Sequence, residues 1–292
     1  MFRADMFSNV KTTAKQLFAI AFFALFSLNG HAASGLFWKA EAPDKNTIYV
    51  FGTIHTDDNR VTEFSPTVIH ALKSVDVFMM ETKEAQDTKF LSMANNNLKD
   101  MLTENELNQV YALADFHVMH RNAVHNMKPW LLAAIFDSPR PLTPFAQDNL
   151  LMTKAEDLGK EVRGLESAVE HFGVMDSLQL DEQLLMLRAV LKRTDEEKLK
   201  DYERLIKAYL AGDSAKLAAL DDKITGGMLP PELWQRMRVK LLDERNVLMT
   251  ERIVAAAQDK RLFVAVGASH LAGKTGLIAG LKRAGFKLSP MK

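Results

Sequence analysis

The 292-residue chain contains no cysteine. That excludes a disulfide framework, a thiolate nucleophile, a cysteine-held metal and lipid attachment through a thiol. It also leaves stability to the core alone. The chain carries no net charge either, with 37 basic and 37 acidic side chains. This removes the electrostatic reason to expect nucleic acid or an anionic membrane surface as partner. Beyond the N-terminal region, no apolar run approaches the ~20 residues of a membrane-spanning helix. HExxH is absent, so the chain is not a familiar zincin. "GASHL" (267–271) lacks the second glycine of a G-x-S-x-G nucleophile elbow, because Leu271 stands in its place. "ASHLAGKT" (268–275) falls one glycine short of a phosphate-binding P-loop, with Ala268 where the first belongs. It also ends only 17 residues before the C-terminus, too close for a nucleotide-binding fold to follow. Lys274 and Thr275 read instead as the first turn of a helix. What remains is an ordinary globular composition, 47% hydrophobic and 25% charged, at a length that suits one large domain or two small ones.

The first 32 residues read as a secretory signal. Arg3, Lys11 and Lys15 precede the apolar stretch Leu17–Leu28, and Gly30 and Ala32 supply small residues at a cleavage site after Ala32. The apolar stretch is too short to span a bilayer comfortably. Residues 33–292 are therefore expected to form a single exported domain, periplasmic or secreted, with no stable membrane span after cleavage.

Strand and helix signals alternate at both ends of that domain. "NTIYVFG" reads as a buried strand, "SPTVIHALKSV" as a helix capped by Ser65 with Pro66 in its first turn, and "VDVFMMET" as a second strand. Near the C-terminus "RLFVAVG", "GKTGLIAGLKRAG" and "FKLSP" repeat the strand–helix–strand order. "GKEVRGLE" (159–166) supplies a further strand after the amphipathic helix "DNLLMTKAEDLG". Two segments, about 84–155 and 168–258, read as helical insertions, the last of their helices running unbroken from "PELWQ" to "VAAAQ". The pattern predicts an α/β fold with a mainly parallel central sheet, built from two β-GxxH-α-β units and a large helical insertion.

Both of those units end a strand in Gly-x-x-His, as Gly52…His55 and Gly267…His270. Ligand-binding groups of a parallel sheet lie just past the C-terminal ends of its strands. That rule gathers His55, Glu81, Glu166 and His270 on one edge, two imidazoles and two carboxylates that suit a divalent metal with coordination left open for water. His55, His270 and Glu81 are the candidate metal ligands, Glu81 serving either as a ligand or as the general base. Glu166 takes whichever role Glu81 does not fill. His117, His120 and His125 form a second cluster, read as a solvated helix face with 117 and 120 side by side. Met79, Met80, Met127, Met152 and Met186 fit core packing, and the Lys/Glu run 192–204 an exposed helix face.

"FWKAE…NTIYVFGTIH", "KPWLLAAI", "GKEVRGLES", "ERNVLMTERI" and "FVAVGASHLAGKTGLIAGLKRAGFKLSP", in that order, resemble the TraB/GumN family, whose eukaryotic relatives are the Tiki-type membrane-anchored proteases. The resemblance implies a metal-dependent hydrolase, a peptidase acting on a peptide or protein substrate. Its metal would be Mn²⁺- or Co²⁺-like, with Zn²⁺ or Fe²⁺ compatible with the donors. It maps the motif histidines to His55 and His270, the acids to Glu81 and Glu166, and adds Arg245 and Asn246. Arg245 is always charged and suits orienting a carboxylate or a developing oxyanion, and Asn246 a ligand or substrate. Without the resemblance, Arg245 would be read as pairing with Asp243 or Glu244 on a solvated helix. A non-catalytic haem-, metal- or ligand-binding protein and a regulatory partner are the rival uses of the same scaffold. N-terminal sequencing of the exported protein is expected to begin at Ala33; a start at Met1 would identify an uncleaved anchor.

Overall fold

A computed structural model describes residues 35–83 and 88–291; the expected signal segment lies outside them. Six strands, β1 (Phe37–Ala42), β2 (Lys45–Thr53), β3 (Val77–Thr82), β4 (Glu161–Glu166), β5 (Leu262–Gly267) and β6 (Lys287–Pro290), form one sheet in the order β4-β3-β5-β2-β1-β6. β4, β3, β5 and β2 run parallel, while β1 lies antiparallel between β2 and β6. The protein is thus an α/β fold with a mixed, mostly parallel sheet and many helices. β1 escapes a reading by alternation because Phe37 and Trp38, adjacent in sequence, are both buried, on opposite faces. Pro43 and Asp44, residue types that favour turns, carry β1 into β2.

β5 sits at the centre, and its uninterrupted apolar run reflects burial on both faces. Leu262, Val264 and Val266 pack with Met249 and Ile253 of the helix Arg245–Ala256 and with Leu277, Ile278 and Leu281 of the helix Leu277–Arg283. Phe263 and Ala265 pack on the other side with Val68 and Leu72 of the helix Pro66–Ser74 and with Leu151 and Ala155 of the helix Gln147–Asp157. Each Val, Leu, Ile, Phe or Met side chain among them contributes roughly 1.5–3 kcal/mol on full burial. Ser65 Oγ accepts from Val68 N at 3.3 Å and starts the helix Pro66–Ser74, where Pro66 has no N–H to satisfy.

The helical excursions follow β3 and β4. The first, joined by the helix Leu180–Leu191 of the second, builds its own core from Val110, Ala114, Leu132, Phe136 and Leu187. Their closing helices, Gln147–Asp157 and Arg245–Ala256, return to cover the sheet and belong to its layers rather than to the excursions. Met79 and Met80 are buried, and Met127, Met152 and Met186 pack against the cores.

Three local expectations are corrected. The single helix expected from Pro231 onward is interrupted by a π-helical segment, Val239–Glu244, between Pro231–Arg238 and Arg245–Ala256. The wider turn redirects the side chains that follow it. Lys274 and Thr275 precede rather than begin the last helix; Gly276 caps it, and a Cβ there would lie 2.2 Å from the Ala272 carbonyl oxygen. His117 and His120 share no helix face. The helix Glu104–Phe116 stops at His117, Val118 turns to φ 58°, a costly conformation for a β-branched residue, and His120 begins another helix.

The two Gly-x-x-His loops leave paired positions of adjacent strands, Thr53 of β2 opposite Gly267 of β5. Gly52 is required by that proximity. A Cβ on it would stand 2.7 Å from Leu271 Cδ1 and 3.1 Å from Ala268 Cα, within the other loop. Gly52→Ala is expected to lower the unfolding free energy by about 1–3 kcal/mol through overpacking. By contrast, Gly173→Ala, mid-helix with nothing within 4 Å of the added carbon, should raise it by about 0.5–1 kcal/mol. Urea titration of both variants checks the pair.

Candidate functional site

The parallel strands deliver their terminal residues to one edge. Glu81 is the penultimate residue of β3, Glu166 the last of β4, and His270 closes a single 3₁₀ turn, Ala268–His270, after β5. Arg245 and Asn246 reach the same edge from the first turn of their helix, directly after the π-helical segment. Arg245 therefore does not pair with Asp243 or Glu244 in solvent; it turns inward. Its Nε donates to Glu166 Oε1 at 2.7 Å, and its Nη2 donates to Glu166 Oε2 at 2.7 Å and to Glu81 Oε2 at 2.6 Å. Nη1 satisfies the Leu241 carbonyl, 3.1 Å away within the π-helical segment. The remaining oxygen of Glu81, Oε1, accepts from Gly267 N at 2.8 Å. A Cβ on Gly267 would lie 3.2 Å from that oxygen, so the second motif's glycine admits the carboxylate.

His171 joins this group without having been anticipated. Its Nδ1 lies 3.2 Å from Glu166 Oε2, 3.6 Å from Glu81 Oε2 and 3.1 Å from Arg245 Nη2. Glu81, Glu166 and His171 present ligand atoms all within 4.8 Å of one another, a group that could hold a metal ion. A sequence signal for it existed. Ser167 and Glu170 form a capping box that starts the helix Ala168–Asp176 right after β4, and first-turn residues there overlook the strand end. Arg245 Nη2 stands at the point where the three ligand atoms converge.

His270 is buried, its side chain 5% exposed, with Nε2 3.8 Å from Glu81 Oε1. Its Nδ1 lies 2.7 Å from Asn246 Oδ1. An amide oxygen only accepts, so Nδ1 carries the proton and the Nε2 lone pair faces Glu81. His55 is placed differently, with its side chain 78% exposed and its Nδ1 3.1 Å from Asp148 Oδ1. Its loop is fastened to the start of the helix Gln147–Asp157: Ile54 N donates to Gln147 Oε1 and Gln147 N to Thr56 O, each at 3.0 Å. The structure thus gathers Glu81, Glu166, Arg245, Asn246 and His270, and holds His55 nearer to solvent beside Asp148.

The charges follow from these contacts. Burial opposes ionisation of Glu81, but His270, Arg245, His171 and the Gly267 amide prevail and hold its pKa at about 2. Burial likewise opposes the Glu166 carboxylate, and the Arg245 fork with His171 still keeps it below the usual range. Burial pushes His270 down to about 4 despite the pull of Glu81. Asp148, accepting from the ring, raises His55. At neutral pH the edge presents a neutral imidazole nitrogen and two ionised carboxylates, oxygen and nitrogen donors that fit Mn²⁺, Co²⁺, Fe²⁺ or Zn²⁺.

Fold and site together define an α/β protein with a carboxylate–imidazole centre at the C-terminal edge of parallel strands. Residues 36–290 match the model of the TraB/PrgY/gumN family, and the chain belongs to that family. No curated protein matches it. Among the described residues no helix is long and apolar enough to cross a membrane.

The unfolded chain takes a proton on His270 near pH 6.5, whereas the folded chain resists it until about 4. The contribution is complete above pH 6.5 and disappears as pH falls to 4, worth on the order of 3 kcal/mol. Glu81 adds a second loss between 4.5 and about 2. Urea unfolding across pH 3.5–7.5 should show stability falling below 6.5, and His270→Gln should reduce the fall between 6.5 and 4 to what His117 and His125, also pushed down by burial, contribute. An unchanged pH dependence in that variant would refute the assignment.

Proposed function

We propose that residues 33–292 form an exported, metal-dependent hydrolase that cleaves peptide or protein amide bonds. The observation that carries this reading is the pairing of His270 Nε2, neutral and aimed by Asn246, with the ionised Glu81 Oε1 at 3.8 Å. Family membership supports it, as does the resemblance to the Tiki-type proteases. His270 and Glu81 would hold the ion, joined through Nε2 by His55, whose Nδ1 faces Asp148. Mn²⁺ or Co²⁺, favoured by that resemblance, would supply the Lewis acidity that acidifies water and polarises a carbonyl.

The chain's own groups divide the remaining work. Glu81, held ionised down to a pKa of about 2, is a poor proton acceptor and suits the ligand role. Both oxygens of Glu166 accept from Arg245, so Glu166 positions the guanidinium rather than accepting protons from substrate. Arg245 in turn fixes Glu81 Oε2 and leaves the other oxygen to the Gly267 amide and His270 Nε2. Asn246 fixes the tautomer of His270. A surface groove of about 670 Å³ runs past Glu166, bordered by Lys83, Arg163, Gly164 and Arg252, and offers an approach for an extended chain.

Metal analysis of residues 33–292, reconstituted with Mn²⁺, tests this. The wild type should bind the ion and cleave a peptide library. His55→Ala and His270→Ala should lose both, and Asn246→Ala should bind Mn²⁺ ~10–100-fold more weakly. A folded wild type that binds no Mn²⁺, Co²⁺, Zn²⁺ or Fe²⁺ contradicts the proposal.

A further inference from the structure

The geometry points to Arg245 as the built-in second cation of a two-cation centre, its guanidinium occupying an inner metal position formed by Glu81 Oε2, Glu166 Oε2 and His171 Nδ1. The three ligand atoms surround a single nitrogen, Nη2, at 2.6, 2.7 and 3.1 Å. The same three residues form the cluster whose spacing suits a metal ion. An arginine therefore stands where an ion would, and it does so with a charge that cannot be titrated away.

Glu81 makes the arrangement a bridge. One oxygen faces Nη2, and the other faces His270 Nε2, 3.8 Å away. In two-metal hydrolases a pair of ions ~3.5–4 Å apart clamps the attacking and leaving oxygens of one reaction. Here the inner half of such a clamp is supplied by the chain. This extends the proposed hydrolase by fixing its stoichiometry at one divalent ion per chain, held on the His270 side of Glu81, with Arg245 furnishing the other positive charge. The surroundings agree. Glu166 is fully buried and bound at both oxygens by the one guanidinium, a match of planar fork to carboxylate that a hydrated ion does not need. Glu81 and His171 keep partial exposure, which gives the inner position a route to solvent.

Removing the arginine should open the inner position to metal. Mn²⁺ binding is measured by equilibrium dialysis with elemental analysis on residues 33–292, for wild type, Arg245→Met and the double variant Arg245→Met/Glu166→Gln. Arg245→Met is expected to bind one Mn²⁺ more than wild type, and the double variant, which loses a ligand and the excess negative charge, to return to the wild-type number. Because Arg245→Met leaves two adjacent carboxylates unpaired, its melting midpoint is a second readout, and it should rise with added Mn²⁺ by several degrees more than that of wild type. Equal Mn²⁺ counts and equal midpoint responses in wild type and Arg245→Met overturn the inference. A wild type that binds none while Arg245→Met binds one sustains the inner position and removes the proposed hydrolase, so the two failures are distinguishable.

Discussion

The contact between Arg245 and the pair Glu81–Glu166 governs the rest of the site. Two carboxylates ending neighbouring parallel strands would repel each other in a poorly solvated setting. One guanidinium, only 10% exposed, makes their coexistence favourable. Breaking a buried pair by deleting one partner typically costs about 3–5 kcal/mol, because the charge left behind has no compensation. The ion pair also explains local features that otherwise look unrelated. The π-helical segment before Arg245 redirects that side chain toward the sheet, and the segment's Leu241 carbonyl accepts from the same guanidinium.

The sheet supplies the precision. β5 is buried on both faces and central in the parallel set, so its end is a fixed platform for Gly267, whose amide holds Glu81, and for the turn that carries His270. Asn246, one residue after Arg245, sets the imidazole. A single helical turn thus positions both the cation that neutralises the carboxylates and the amide that orients the histidine. Met249 and Ile253 of that helix lie in the core beneath the sheet, which ties the chemistry to the packing that stabilises the fold.

Much of this was legible in the sequence, and what was not has physical causes. The buried strands announced themselves by continuous apolar runs and terminal glycines, and the strand-end rule located Glu81, Glu166 and His270. Arg245 and Asn246 came only from family resemblance, since nothing in "DERNV" separates an inward-facing arginine from a solvated one. The separation depends on the π-helical segment, which has no clear sequence signal. His171 was hidden because its partners come from β3, β4 and a helix far along the chain, although its capping box was readable. β1 was missed because adjacent bulky residues obscure alternation. The glycines of the two motifs serve close approach, Gly52 to the second loop and Gly267 to Glu81.

A divalent ion shared by His270 and Glu81, beside Arg245, is what the proposed function requires. Anomalous diffraction at the manganese edge, from crystals of residues 33–292 grown with Mn²⁺, addresses it directly. One anomalous peak per chain is expected, beside His270 and Glu81, with the Arg245 guanidinium still seated between Glu81 and Glu166. A peak centred among Glu81, Glu166 and His171 with Arg245 displaced, or no peak at the strand edge, would contradict it.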